Sequence, residues 1–131
     1  MTIIGIDVGL SKTGVAYATP RIAEPLLVIH DNNKDTLVEK IVKVVRDKDV
    51  DLVVVGMPQG ALAATAKDIG EALKNQEITV EFWDETLTTQ EAQRLAREAG
   101  LKRKKRRELE DAFAAAVMLQ SYIESQGSGV S

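Results

Sequence analysis

An α/β fold, a mixed five-stranded sheet flanked by helices, is what three features of this chain predict. Three strand-like segments follow one another before any helical pattern begins, and two further strand-like runs then alternate with helical stretches. The first of those later runs, Asp51–Val55, is apolar from Leu52 onward, as expected of a parallel strand covered on both faces.

Ile3–Asp7 reads as a buried strand and Gly14–Ala18 as a second, joined by the short Gly9–Thr13 turn, so the two form a hairpin. After Pro20 and Pro25, Leu26–Ile29 makes a third strand, antiparallel to its neighbour. From Asp35 the period changes: Leu37, Val38, Ile41, Val42 and Val45 recur at helical spacing with charged residues between them. Asp51–Val55 ends at Gly56 and Pro58, and Ala61–Leu73 suits the helix that follows. Thr79–Trp83 is the fifth strand. Thr88 with Glu91 three residues on forms a capping box for a helix along Ala92, Leu95, Ala96 and Ala99, stopped by Gly100. Asp111–Ile123 closes the chain as an alanine-rich helix with Ala115, Met118, Leu119 and Tyr122 on one face, and residues 126–131 are expected to be a disordered tail. An antiparallel hairpin on one side and parallel crossovers on the other is how ribonuclease H-like domains are built. Residues 1–125 are read as one such domain.

The composition narrows the chemistry. With 131 residues the chain fits one domain and cannot supply two lobes closing over a substrate. The absence of cysteine removes disulfides, thiolate nucleophiles and Cys-ligated zinc, and fits a reducing compartment. A single histidine, His30, builds no His-rich metal site and reads as a surface turn residue. No apolar run approaches the roughly 20 residues that span a bilayer, so no membrane partner is expected and the cytoplasm is the expected location. Net charge is −3, yet Lys102-Arg103-Lys104-Lys105-Arg106-Arg107 places six cations in a row, a polarised surface suited to phosphates.

Three acids stand at special points: Asp7 at the end of the first strand, Glu85 two residues after the fifth, and Asp111 at the head of the last helix. Ligands of open α/β sheets gather beyond the carboxyl ends of the strands, which brings Asp7 and Glu85 to one edge. Offsets of 4, 7 and 11 put Asp111 on the stripe of Ala115, Met118 and Tyr122, although an acid there also suits the helix dipole. Converging carboxylates repel one another unless a divalent cation binds, and oxygen-only ligands suit Mg²⁺ or Mn²⁺. The expected catalytic and metal-binding residues are therefore Asp7, Glu85 and Asp111. Asp84 should point elsewhere on an extended backbone. Lys12, Lys102, Arg103, Lys104, Lys105, Arg106 and Arg107 are the expected nucleic-acid contacts.

Four segments, in order, resemble the YqgF family, also called RuvX. Gly5-Ile6-Asp7-Val8-Gly9 with Lys12 and Gly14-Val15-Ala16 is similar to its opening motif, and Val54-Val55-Gly56-Met57-Pro58 to its strand ending in V-G-x-P. Asp84-Glu85-Thr86-Leu87-Thr88-Thr89 resembles D-E-x-L-[ST]-T, and Asp111–Ala115 with Leu119–Tyr122 resembles the closing element. Two places depart from the pattern: Thr86 stands where Arg is usual, and Gln59–Ala63 lacks the usual Asp-Gly turn.

The resemblance implies a ribonuclease H-like, metal-dependent endonuclease with Asp7, Glu85 and Asp111 as its carboxylates, acting on Holliday junctions or on the 5′ end of pre-16S rRNA. Branched DNA or precursor rRNA is the expected partner, and symmetric junction cutting calls for a homodimer. Two other readings compete. A non-catalytic nucleic-acid or ribosome-binding module would keep the fold without activity, and a sugar-kinase or actin-like ATP-binding lobe shares the glycine-framed opening but needs a second lobe.

Overall fold

The computed structural model describes residues 1–19, 22–85, 90, 93–94, 97–98 and 110–128, without the side chains of 110, 111, 127 and 128. Its elements are β1 (Ile3–Asp7), β2 (Lys12–Thr19), β3 (Ile22–His30), α1 (Lys34–Asp47), β4 (Leu52–Met57), α2 (Leu62–Lys74), β5 (Val80–Asp84) and α3 (Glu110–Ser128). The sheet order is β3-β2-β1-β4-β5. β1 pairs antiparallel with β2 and parallel with β4, and β4 pairs parallel with β5. The mixed five-stranded sheet flanked by helices is thus present as expected.

Alternation along the strands sorts residues onto two faces. Ile4 and Ile6 of β1, Val53 and Val55 of β4 and Val80 of β5 pack with Leu37, Ile41, Ile69 and Leu73 in a core under α1 and α2. Leu52 and Val54 of β4 join Ala16, Ala18, Ala23, Ala115, Ala116, Leu119 and Tyr122 in a second core under α3. Gly5 allows α3 to lie close, because a Cβ there would stand 2.9 Å from the Leu119 Cβ. Small residues on both surfaces, alanines on β2 and α3, make the same close approach possible along the rest of that layer.

Polar bonds fix the position of α3. The buried Gln120 accepts a hydrogen bond from the Ala23 amide through its Oε1 at 2.8 Å, tying the helix to β3. Tyr122 donates its hydroxyl to Glu81 at 2.7 Å, and Trp83 donates to the Ser121 hydroxyl at 3.3 Å. The Trp83 and Tyr122 rings meet edge to face, 5.5 Å between centroids, a pairing worth about 0.5–1.5 kcal/mol beyond burial. Burial and the Glu81 carboxylate beside it push the Tyr122 hydroxyl up to about 12.

The observed strands and helices depart from the sequence expectation chiefly at their ends. β3 starts at Ile22, not after Pro25, and Pro25 lies opposite Ala16 within it. β3 is an edge strand, where a residue without an amide hydrogen is tolerated, and a register shift between Val15 and Ala16 absorbs the irregularity. α1 begins one residue before Asp35, at Lys34, because Asn33 caps it by accepting from the Thr36 amide at 3.1 Å. α3 continues to Ser128, so residues 126–128 of the expected tail are helical. His30 is exposed, but it ends β3 rather than forming a turn.

α2 lies against β5 at Gly70. A Cβ there would stand 2.4 Å from two carbons of the Phe82 ring, a rigid neighbour in a packed layer. Gly70→Ala is expected to destabilise the protein by about 1–3 kcal/mol, by chemical denaturation, while the folded fraction keeps its specific activity.

Candidate active site

Sheet parity and strand ends together place two acids side by side. Ile4 and Ile6 point to the α1/α2 core, so Ile3, Gly5 and Asp7 belong to the α3 face of β1. The parallel register Ile6↔Val55 puts Gly56 of β4 next along from Asp7. On β5, Glu81 and Trp83 bond to α3, and Glu85, one residue past the strand, continues on that side. Three adjacent parallel strands therefore carry Asp7, Gly56 and Glu85 at or just beyond their carboxyl ends.

Gly56 leaves room for the glutamate. A Cβ at this position would lie 2.8 Å from Glu85 Oε1 and 3.2 Å from its Cγ, so the carboxyl group occupies the space above the glycine. There it lies beside the Asp7 carboxyl group. Burial, the adjoining Asp7 side chain and the nearby negative charges of Asp7 and Asp84 raise Glu85 from its ordinary 4.5 to about 8. Near neutral pH this shift favours the protonated form of Glu85. Since the folded state binds that proton more tightly than the unfolded chain, the contribution of Glu85 to stability is fully present below about pH 4.5. It declines as pH rises toward about 8, unless a cation takes the proton's place.

Asp7 and Glu85 open into a cleft of about 350 Å³, walled by Phe113, Ala114, Val117 and Met118 of α3 and by Gln93 and Arg97. Gln93 and Arg97 are helical and exposed, four residues apart, hence on one helix face. The sequence reading missed both because it followed the apolar positions of that segment. Their i, i+4 spacing, eight and twelve residues after Glu85, is the signal that was available.

Of the expected site residues, the structure joins Asp7 and Glu85. The backbone of Asp111 lies in the first turn of α3, four and seven residues before Ala115 and Met118; its side chain is outside the described residues. Among the described residues no group of three His, Cys, Asp or Glu side chains gathers. Asp84 is exposed, and by alternation it belongs to the opposite face of the sheet from Glu85. Lys12 is exposed at the start of β2, on the strand that pairs with β1. Residues 102–107 lie outside the described residues, as do Thr86 and the capping-box residues Thr88 and Glu91. Among the described residues no helix is long and apolar enough to cross a membrane.

Comparison with known proteins agrees with this arrangement. The family model described as "RuvX: Holliday junction resolvase" matches residues 1–125. A Pelotomaculum thermopropionicum protein, named as a proposed pre-16S rRNA nuclease, is 39% identical over 97% of this chain and 89% of its own length. A Protochlamydia amoebophila protein of the same name is 35% identical over 95% of this chain and 93% of its own. Among solved structures, T. thermophilus RuvC in complex with a Holliday junction substrate superposes with a TM-score of 0.64 at 17% identity, covering 96% of both chains. The fowlpox virus Holliday junction resolvase does so with 0.63 at 13%, covering 95% of this chain and 99% of that one. These two share the ribonuclease H-like fold. With the family model spanning the whole sheet and α3 up to Ser125, and relatives above 30% identity along nearly the full length, the chain belongs to the RuvX family of nucleases.

Proposed function

We propose that this nuclease is an endonuclease that holds one or two divalent cations, Mg²⁺ or Mn²⁺, on Asp7, Glu85 and Asp111, and cuts structured nucleic acid. The observation that carries the reading is the pair of carboxyl groups side by side at the floor of an open cleft, one of them above a glycine whose Cβ would displace it. Oxygen donors alone, with no histidine or cysteine nearby, fit hard cations. When bound, such cations lower the pKa of an attacking water and stabilise the leaving oxygen.

The chain's own residues prepare the reaction. With the Glu85 proton released to solvent, Asp7 and Glu85 would form a dianionic ligand pair, and Asp111 would complete the set from the first turn of α3. The apolar wall from Phe113 to Met118 excludes bulk water from one side of the cleft. Lys12 and the run Lys102–Arg107 hold flanking phosphates, which makes binding strongly salt-dependent.

The names of the curated relatives support precursor 16S rRNA as the substrate, and the description of the family supports a four-way DNA junction, for which two copies would act together. A panel of four-way junction, duplex, single-stranded DNA and structured precursor RNA, incubated with Mn²⁺, Mg²⁺ or chelator, tests the proposal. Metal-dependent internal cuts in a structured substrate are expected. Tight binding with no cleavage under any metal would favour the non-catalytic module instead.

A further inference from the structure

The cleft that holds the two acids is also lined by a cation. Arg97 lines it together with Asp7 and Glu85, and Gln93 stands one helical turn earlier on the same helix face. An arginine beside two carboxylates ordinarily pairs with one of them. Here the charged groups acting on the Glu85 carboxyl are Asp7 and Asp84, and among the described residues no ion pair joins Arg97 to either acid of the cleft. Arg94 behaves differently: its guanidinium is engaged by Glu98 at 2.9 Å on the same segment. Two arginines three residues apart thus have different surroundings, one paired with Glu98 and one lining the cleft of the acids.

We infer that Arg97 is the residue that grips the reacting phosphate of the nucleic acid, with Gln93 donating to the same phosphate or its sugar. This rests on the nuclease reading of the cleft. An acid cluster repels a polyanion, so a phosphodiester approaching Asp7 and Glu85 needs positive charge on the facing wall. A guanidinium supplies it permanently, with a planar fork that matches two non-bridging oxygens. At about 350 Å³ the cleft lies at the lower end of small-ligand sites, roughly 300–1,000 Å³, which is room for about one nucleotide unit of a larger nucleic acid. The phosphate between the carboxyl pair and Arg97 is then the one that reacts.

The test compares Arg97→Gln, Arg97→Lys and Arg94→Gln with the unaltered protein. The readouts are kcat/KM in Mn²⁺ on the substrate the cleavage panel identifies, and the salt dependence of binding to a four-way junction and a structured RNA in chelator. Arg97→Gln should lose about 10²–10³-fold in kcat/KM, the scale of one lost charge-stabilising donor. Its log Kd against log[salt] slope should flatten by about 0.7–0.9, the loss of one phosphate contact. Arg97→Lys should restore the slope but only part of kcat/KM, because the point charge survives and the fork does not. Arg94→Gln should match the unaltered protein in both. An unchanged slope for Arg97→Gln overturns the inference, as does a flattened slope with unchanged kcat/KM, which would place the contact away from the reacting phosphate. If the unaltered protein cuts nothing, the nuclease reading fails by itself, and the salt slope still decides whether Arg97 holds a phosphate.

Discussion

Asp7→Asn is expected to abolish cleavage, with kcat reduced at least about 10³-fold, and to leave a metal-free protein that is more heat-stable above neutral pH than the original. The two effects have one cause. Asparagine keeps the size and hydrogen-bonding reach of the side chain, so β1 and its register with β2 and β4 persist. It removes the carboxylate that, after burial, does most to hold Glu85 near 8, so Glu85 moves back toward its ordinary value and the repulsion that grows with pH disappears. Thermal unfolding in chelator at pH 8 should show a midpoint raised by a few degrees. A purely structural acid would give the opposite sign, because its removal would cost stability. Full cleavage by the variant would contradict the role proposed for Asp7.

Gly56→Ala is the second change with a large expected effect, and it should act on function more than on folding. The added methyl would sit 2.8 Å from Glu85 Oε1 and 3.2 Å from the Met118 Cγ. The nearest atom is the far end of a flexible side chain in an open cleft, so the glutamate can swing aside at small energetic cost. The carboxyl pair would then be broken. Cleavage should fall about 10²-fold or more, since displacing a reacting group by about 1 Å costs on that order, while the denaturation midpoint changes little. Gly70→Ala supplies the contrast, because the Phe82 ring it would meet packs against the core and the cost there falls on stability. Gly56→Ala losing stability with undiminished activity would show that the glycine serves packing alone.

Much of this site can be read from the sequence because strand ends and alternation are strong constraints. Asp7 ends a strand and Glu85 directly follows one, and parallel pairing through β4 leaves them on one edge. Gly56 stands in the same run, but its purpose depends on where the Glu85 side chain goes, and no local pattern reports that. The upward shift of Glu85 is likewise a product of separation and burial, invisible to spacing. Pro25 misled for a physical reason: it argues against a central strand and says nothing against an edge one, and edge position is a property of the whole sheet. Gln93 and Arg97 were passed over because periodicity arguments follow the apolar stripe of a helix, and the residues that meet a substrate lie off it. The extension of α3 to Ser128 was hidden in a similar way, since the last turns carry few apolar residues to announce them.

Calorimetric titration of Mn²⁺ at pH 7, repeated in two buffers of different ionisation enthalpy, tests most directly whether Asp7 and Glu85 form one cation site. Because Glu85 titrates near 8, binding should expel about one proton at pH 7 and almost none at pH 9.5, and affinity should rise between pH 6 and 8 and then level off. Glu85→Gln should release no proton, and Asp7→Asn should bind far more weakly. Mn²⁺ binding at pH 7 without proton release, or with undiminished affinity in Asp7→Asn, would contradict the shared site.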